Sequence, residues 1–92
     1  MAYVMVQLRV MPTGTDVDLE KLKAECKKKI EAFGIKAFHS VKDEPIAFGL
    51  KAIDFTFMMD EKQSNTDKLE ADIRQVEGVN SAEILDVRRA LG

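Results

Sequence analysis

The chain has 92 residues, 46% of them apolar and 33% charged, and its 14 Lys and Arg against 16 Asp and Glu leave a formal net charge of −2. At about 0.05–0.15 kcal/mol of net stability per residue, such a chain reaches only roughly 5–14 kcal/mol, so one domain over residues 1–92 with one shared core is expected. The composition excludes a disordered chain, and no run approaches the roughly 20 apolar residues of a membrane span. The balanced charge offers no field to gather phosphate backbones, so neither nucleic acid nor a membrane is expected as a partner.

The N-terminus Met1-Ala2-Tyr3-Val4-Met5 lacks a basic leader, and Gln7 and Arg9 interrupt any signal-like apolar run, which points to the cytoplasm. From Tyr3 to Met11 residues alternate, with Val4, Val6, Leu8 and Val10 on one face and Tyr3, Met5, Gln7, Arg9 and Met11 on the other, the period of a strand. Pro12 to Asp16 supplies turn residues, and Thr15 with Asp18 predicts a capping box opening a helix. Leu19, Leu22, Cys26, Ile30 and Phe33 form its apolar stripe, Lys27-Lys28-Lys29 complements its negative end, and Gly34 suits its C-terminus.

Ile35 to Ile46 alternates weakly and ends in Asp43-Glu44-Pro45, which places this second strand at a sheet edge and the acidic pair at a turn. Phe48-Gly49 reads as a turn or bulge before a central strand in which Ile53, Phe55 and Phe57 share a face and Asp54 and Thr56 take the other. Asp60 to Asn65 is a polar connection. Ser64 with Asp67 predicts the start of a second helix carrying Leu69, Ile73 and Val76, which Gly78 ends. Val79 to Val87 is the last strand, and Arg88-Arg89-Ala90-Leu91-Gly92 reads as a tail.

This β-α-β-β-α-β order is the plan of an α+β, ferredoxin-like sandwich: a four-stranded antiparallel sheet with two helices on one face and the second and fourth strands at its edges. The fold decides no function. An enzyme needs a base with an orienting partner, yet the only histidine, His39, sits on a polar edge with no partner in view. Cys26 falls in register with Leu22 and Ile30 as a small buried hydrophobe; being single, it forms neither an intrachain disulfide nor a Cys-based zinc site. Asp43-Glu44 and Asp60-Glu61 lack the spacing of metal ligands or a glycosidase pair, so no catalytic residue, metal or cofactor is expected. An RNA-recognition module would cast Phe55 and Phe57 as stacking rings, whereas the central-strand pattern turns them toward the helices. Two features remain. Phe48 stands beside glycine at a strand junction, either as an exposed anchor for a partner's pocket or folded back over the core end, and Arg88-Arg89 closes the chain.

Pro45-Ile46-Ala47-Phe48-Gly49-Leu50-Lys51, the connector Asp60 to Asp67 and Val79-Asn80-Ser81-Ala82-Glu83-Ile84 together resemble the guanine-nucleotide exchange domain of translation elongation factor 1-beta, in the short archaeal form, over essentially the whole chain. The resemblance implies a partner, the elongation factor 1-alpha GTPase with bound GDP or GTP and magnesium, whose GDP release the domain speeds without covalent chemistry. It implies that Phe48, with Gly49, enters an apolar pocket of the GTPase. It further implies that a terminal cation, Arg89 or else Arg88, reaches the magnesium and phosphate end of the nucleotide site. Eukaryotic relatives end in a lysine and one further residue, whereas this chain ends Arg-Arg-Ala-Leu-Gly. The alternative is a ligand-sensing or RNA-binding module that works through the open sheet face and residues such as Tyr3 and Arg9.

Overall fold

Strict alternation in the sequence becomes strict alternation in burial along β1 (Tyr3–Pro12), where Val4, Val6, Leu8 and Val10 are sealed and the residues between them half-buried. The computed structural model describes residues 2–63 and 65–90. Turn residues then release the chain into α1 (Leu19–Phe33). The helix starts later than a Thr15 cap would have it: Asp18 is itself the N-cap, its Oδ1 accepting the N–H groups of Glu20 and Lys21 at 3.1 and 3.3 Å. A carboxylate both satisfies orphan donors and answers the positive end of the helix, which a hydroxyl does not. Gly34, at φ 103°, closes α1 as expected, its N–H donating to the Glu31 carbonyl at 3.1 Å. Because α1 continues to Phe33, Lys27-Lys28-Lys29 does not sit at its end and the last turn carries no base. Lys27 instead places its ammonium 5.2 Å from the centre of the Phe38 ring.

The sheet comprises β2 (Ala37–Pro45), β3 (Lys51–Asp60), β1 and β4 (Val79–Ala90) in the order β2-β3-β1-β4, every pairing antiparallel. This is the expected ferredoxin-like arrangement, with β3 beside β1 at the centre and Ile53, Phe55, Phe57 and Met59 buried on the face that packs on Leu22, Cys26, Ile30, Leu69 and Ile73 of the helices. Asp43 and Glu44, expected at a turn, lie in β2, where Asp43 meets Lys23 of α1 at 2.6 Å and ties the edge strand to the helix layer.

Helix α2 (Thr66–Arg74) follows a 3-10 turn, Glu61–Gln63. Its N-cap is Asn65, which accepts the Lys68 N–H at 3.2 Å; Ser64, the expected cap, lies outside the described residues. The helix stops at Arg74, before Gly78, whose φ of 96° belongs to the turn into β4. Glu70 and Arg74 of α2 reach the outer edge of β4: Glu70 accepts the Ile84 N–H at 2.8 Å, and Arg74 donates to the Ala82 carbonyl at 3.3 Å. Those side chains engage two backbone groups of an edge that would otherwise be open to another strand.

β4 runs three residues further than Val87, so Arg88 and Arg89 are strand residues and not a tail, paired with Met5 and Val4. The N-terminal half of β1 needs a neighbour, and that non-local demand extends β4. A register shift between Ile84 and Asp86 changes which residues share a face. Asp86 and Arg88 therefore join Gln7 and Met5 on the open side of the sheet, while Val87 and Arg89 join Val6 and Val4 on the helix side.

Candidate functional site

Between β2 and β3 the chain reverses through Ala47-Phe48-Gly49-Leu50. The Leu50 N–H donates to the Ala47 carbonyl at 2.9 Å and the Ile46 N–H to the Leu50 carbonyl at 2.9 Å, with φ of 53° at Phe48 and 79° at Gly49. Two successive positive φ values inside such a hydrogen bond define a type I′ turn, which suits the twist of a hairpin and favours Asn-Gly. Glycine at the second position is therefore conformationally required, whereas phenylalanine at the first is not. Phe48 is the sole non-glycine residue with positive φ among the described residues, in a region that costs an L side chain about 1–2 kcal/mol. Nor does the ring recover that cost by packing, because Phe48 is 97% exposed. Of the two readings left open by the sequence, the exposed one holds. Ile46, 43% exposed, adds apolar surface at the base of the same turn.

The two arginines lie at the other end of the sheet. Eight residues of β3 separate Lys51, beneath the hairpin, from Met59, which shares a row with Val4 and Arg89; at about 3.3 Å per residue the span is about 26 Å. Phe48 and the arginines are thus not one patch. Nor do the arginines share a face. Arg88 donates through Nε to Asp86 at 2.5 Å on the open side, and Arg89 Nη2 meets both oxygens of Glu61 at 3.1 and 3.2 Å on the helix side. In the sequence Glu61 stands only as half of the acidic pair Asp60-Glu61, and its pairing with Arg89 is not foreseen there. Its place in the polar connector gave no sign that β4 would extend far enough to meet it.

The open face is crossed by a row of alternating charge, Lys42, Asp54, Arg9 and Glu83, one from each strand. Arg9 is bidentate to Asp54 at 2.8 and 2.9 Å; that bond, and then the charges of Asp54, Glu44 and Glu83, raise its pKa above the usual guanidinium value. Tyr3 shares its end of the sheet with Lys36, whose ammonium lies 5.9 Å from the ring centre. Phe55 and Phe57 are fully buried against the helices and unavailable for stacking on this face. His39 is exposed at the irregular point of β2, between Phe38 and Ser40. Cys26 is fully buried, and burial first, with the charge of Glu25 second, pushes its thiol up to about 12, where it is no nucleophile. Among the described residues no group of three or more His, Cys, Asp or Glu could hold a metal ion, and no helix is long and apolar enough to cross a membrane.

The family model described as the EF-1 guanine nucleotide exchange domain matches residues 5–90. The chain belongs to that family. Elongation factor 1-beta of Methanobrevibacter smithii is 37% identical over 91 residues, covering 99% of this chain and all of the relative. Those of Methanoregula boonei and Staphylothermus marinus are each 42% identical, over 95% and 97% of this chain and 96% and 98% of the relatives. Against solved structures the exchange-domain chain matches the designed protein Foldit4 with a TM-score of 0.63 at 12% identity over 98% of each chain. It also matches the C-terminal domain of MgtC from Mycobacterium tuberculosis with a TM-score of 0.58 at 11% identity, over 98% of this chain and 88% of the other. At such identities these two matches speak for the fold alone.

Proposed function

We propose that this exchange-domain protein docks on the elongation factor 1-alpha GTPase in the cytoplasm during translation elongation and promotes GDP release, allowing GTP to rebind. The observation that carries the reading is Phe48, an almost wholly exposed aromatic held at a conformational cost on the tip of a hairpin. Burying such a ring is worth about 1.5–3 kcal/mol, which free in solution it forgoes. A partner pocket recovers it.

The second contact is Arg89, with Arg88 beside it, at the far end of β4. Magnesium bridging phosphate oxygens is a large share of what retains GDP on a GTPase, and a cation brought to where the ion sits repels it without replacing its coordination. Removing about 4 kcal/mol of retention raises the release rate roughly a thousandfold. The factor needs no nucleophile and no metal of its own for this, and it accelerates exchange in both directions, so excess GTP sets the outcome. The span of about 26 Å along β3, from the base of the hairpin to the row that holds Arg89, makes the pocket for Phe48 and the nucleotide separate regions of the GTPase surface. Docking and displacement are accordingly separable.

Stopped-flow release of a fluorescent GDP analogue from the GTPase tests both. Phe48→Ala raises the concentration of factor needed for half-maximal stimulation, while Arg89→Ala lowers the maximal rate and leaves that concentration unchanged. Unaltered kinetics in both variants would reject the assignment. If Tyr3→Ala and Arg9→Ala mattered instead, the open-face alternative would take its place.

A further inference from the structure

The two arginines are held differently. Arg88 is 81% exposed in its side chain and answers a carboxylate two residues away on its own strand, which moves with it. Arg89 answers a carboxylate built from elsewhere. Glu61 opens the 3-10 turn, its own N–H donates to the Ala2 carbonyl at 3.1 Å, and the turn is closed by Asp60, whose Oδ1 accepts the Lys62 N–H at 2.9 Å. The ends of β1 and β3 thus fix the backbone from which the Glu61 carboxylate reaches Arg89. Both of its oxygens lie on Nη2, at 3.1 and 3.2 Å, and among the described residues no hydrogen bond reaches the Nε and Nη1 donors of the fork. A guanidinium carries five donors in a rigid plane. Held at one corner, with its side chain 68% exposed, it leaves the other donors unengaged by described residues.

We propose that Glu61 is a positioning residue for Arg89, holding its fork extended from the end of β4 with free N–H donors directed to an anionic ligand, the phosphate groups of the nucleotide on the partner GTPase. This rests on the docking reading above and selects Arg89 over Arg88 as the displacing cation. The pair is solvent-exposed, with side-chain exposures of 68% for Arg89 and 43% for Glu61. A pair of that kind is weak enough to yield to a phosphate. Its contribution is to reduce the number of rotamers Arg89 explores before contact.

The test is GDP-analogue release from elongation factor 1-alpha, titrated with wild-type factor, Glu61→Ala, Glu61→Gln, Arg88→Ala, Arg89→Ala and the double variant Glu61→Ala/Arg89→Ala. Freeing one rotamer-rich side chain predicts a maximal rate about two- to tenfold lower for Glu61→Ala. The half-saturating concentration stays unchanged, Glu61→Gln recovers part of the rate because it keeps an acceptor, and Arg88→Ala lowers the rate less than Arg89→Ala; a larger loss in Arg88→Ala overturns the choice of Arg89. In the Arg89→Ala background the loss of Glu61 has no further effect. An equal fold-loss in that background, or a wild-type rate in Glu61→Ala, overturns the positioning role. A wild-type factor that fails to stimulate release overturns the docking reading and this inference with it. The Nη2–H NMR signal of Arg89 in the free protein reads positioning without the GTPase: it broadens or shifts toward the exposed-arginine position in Glu61→Ala, and a signal identical to wild type refutes the proposal.

Discussion

Phe48→Asn sets stability and docking against one another. The wild-type residue holds φ at 53° in the first position of a type I′ turn, a placement worth about 1–2 kcal/mol against an L side chain. Asparagine visits that region several-fold more readily, and Asn-Gly is the preferred pair for the turn. With the ring 97% exposed, its removal opens no cavity and loses no core contact. The turn hydrogen bonds of Leu50 and Ile46 are made by the backbone and persist. The net expectation is a gain of about 1 kcal/mol, which for a domain of this size raises the melting midpoint by about 4–8 °C. On the proposed partner the same variant forfeits the burial of one aromatic, about 1.5–3 kcal/mol, or roughly a ten- to hundredfold loss of affinity. Thermal unfolding and a titration of GDP-analogue release read the two effects side by side. A variant destabilised by more than about 1 kcal/mol would mean that the ring packs on the protein, and the argument from exposure and backbone cost would be wrong.

Two further outcomes follow from the packing. Asp54→Ala strips Arg9 of its bidentate partner beneath a largely closed part of the open face; urea unfolding should show a loss of about 1–3 kcal/mol, with maximal exchange unchanged. Cys26 should resist iodoacetamide in the native protein and react rapidly in denaturant. Because burial holds its proton up to about 12, against 9.0 for an ordinary thiol, the unfolded chain releases that proton first. Stability therefore falls as pH rises above about 9, by at most about 1.4 kcal/mol per pH unit, and Cys26→Ala removes that component of the slope.

What was legible in the sequence is what short-range periodicity carries. The alternation of Val4, Val6, Leu8 and Val10 and the three- and four-residue spacing of Leu22, Cys26 and Ile30 specify both element type and buried face without reference to the rest of the chain. Pro45 on a polar stretch marked an edge strand for an equally local reason. The misplaced boundaries have non-local or competitive causes. Thr15 and Asp18 both qualify as a cap by type, and carboxylate against hydroxyl decides it. The length of β4 answers to the length of β1, so Arg88 and Arg89 read as a tail until the pairing with Met5 and Val4 is known. Neighbours in a strand face opposite ways in any case; the shift at Ile84 and Asp86, which decides that Arg88 takes the open side and Arg89 the helix side, has no signature in residue type. For the candidate site, Phe-Gly at the junction announced a turn, but whether the ring points outward depends on which of the two residues takes which φ. The Glu61–Arg89 pair was hidden because it joins residues 28 apart that only an extended β4 brings together.

The separation of the two proposed contacts changes what binding has to accomplish. A single patch that both docked and displaced would have to match the nucleotide site closely, and each loss of fit would weaken affinity and rate together. Contacts at opposite ends of one sheet, with about 26 Å of β3 between them, act otherwise. β3 joins them with Ile53, Phe55, Phe57 and Met59 fully buried along its length, so the hairpin and the end of β4 belong to one stiff body and not to two hinged arms. Seating Phe48 then fixes where Arg89 falls, and the orienting cost of placing the cation is met by apolar burial far from the nucleotide. On the proposed reading, a remote, affinity-bearing anchor and a weakly held cation at the far end divide docking from displacement. Under the proposed docking, that division would give a use to one costly exposed ring and one propped arginine at opposite ends of the sheet.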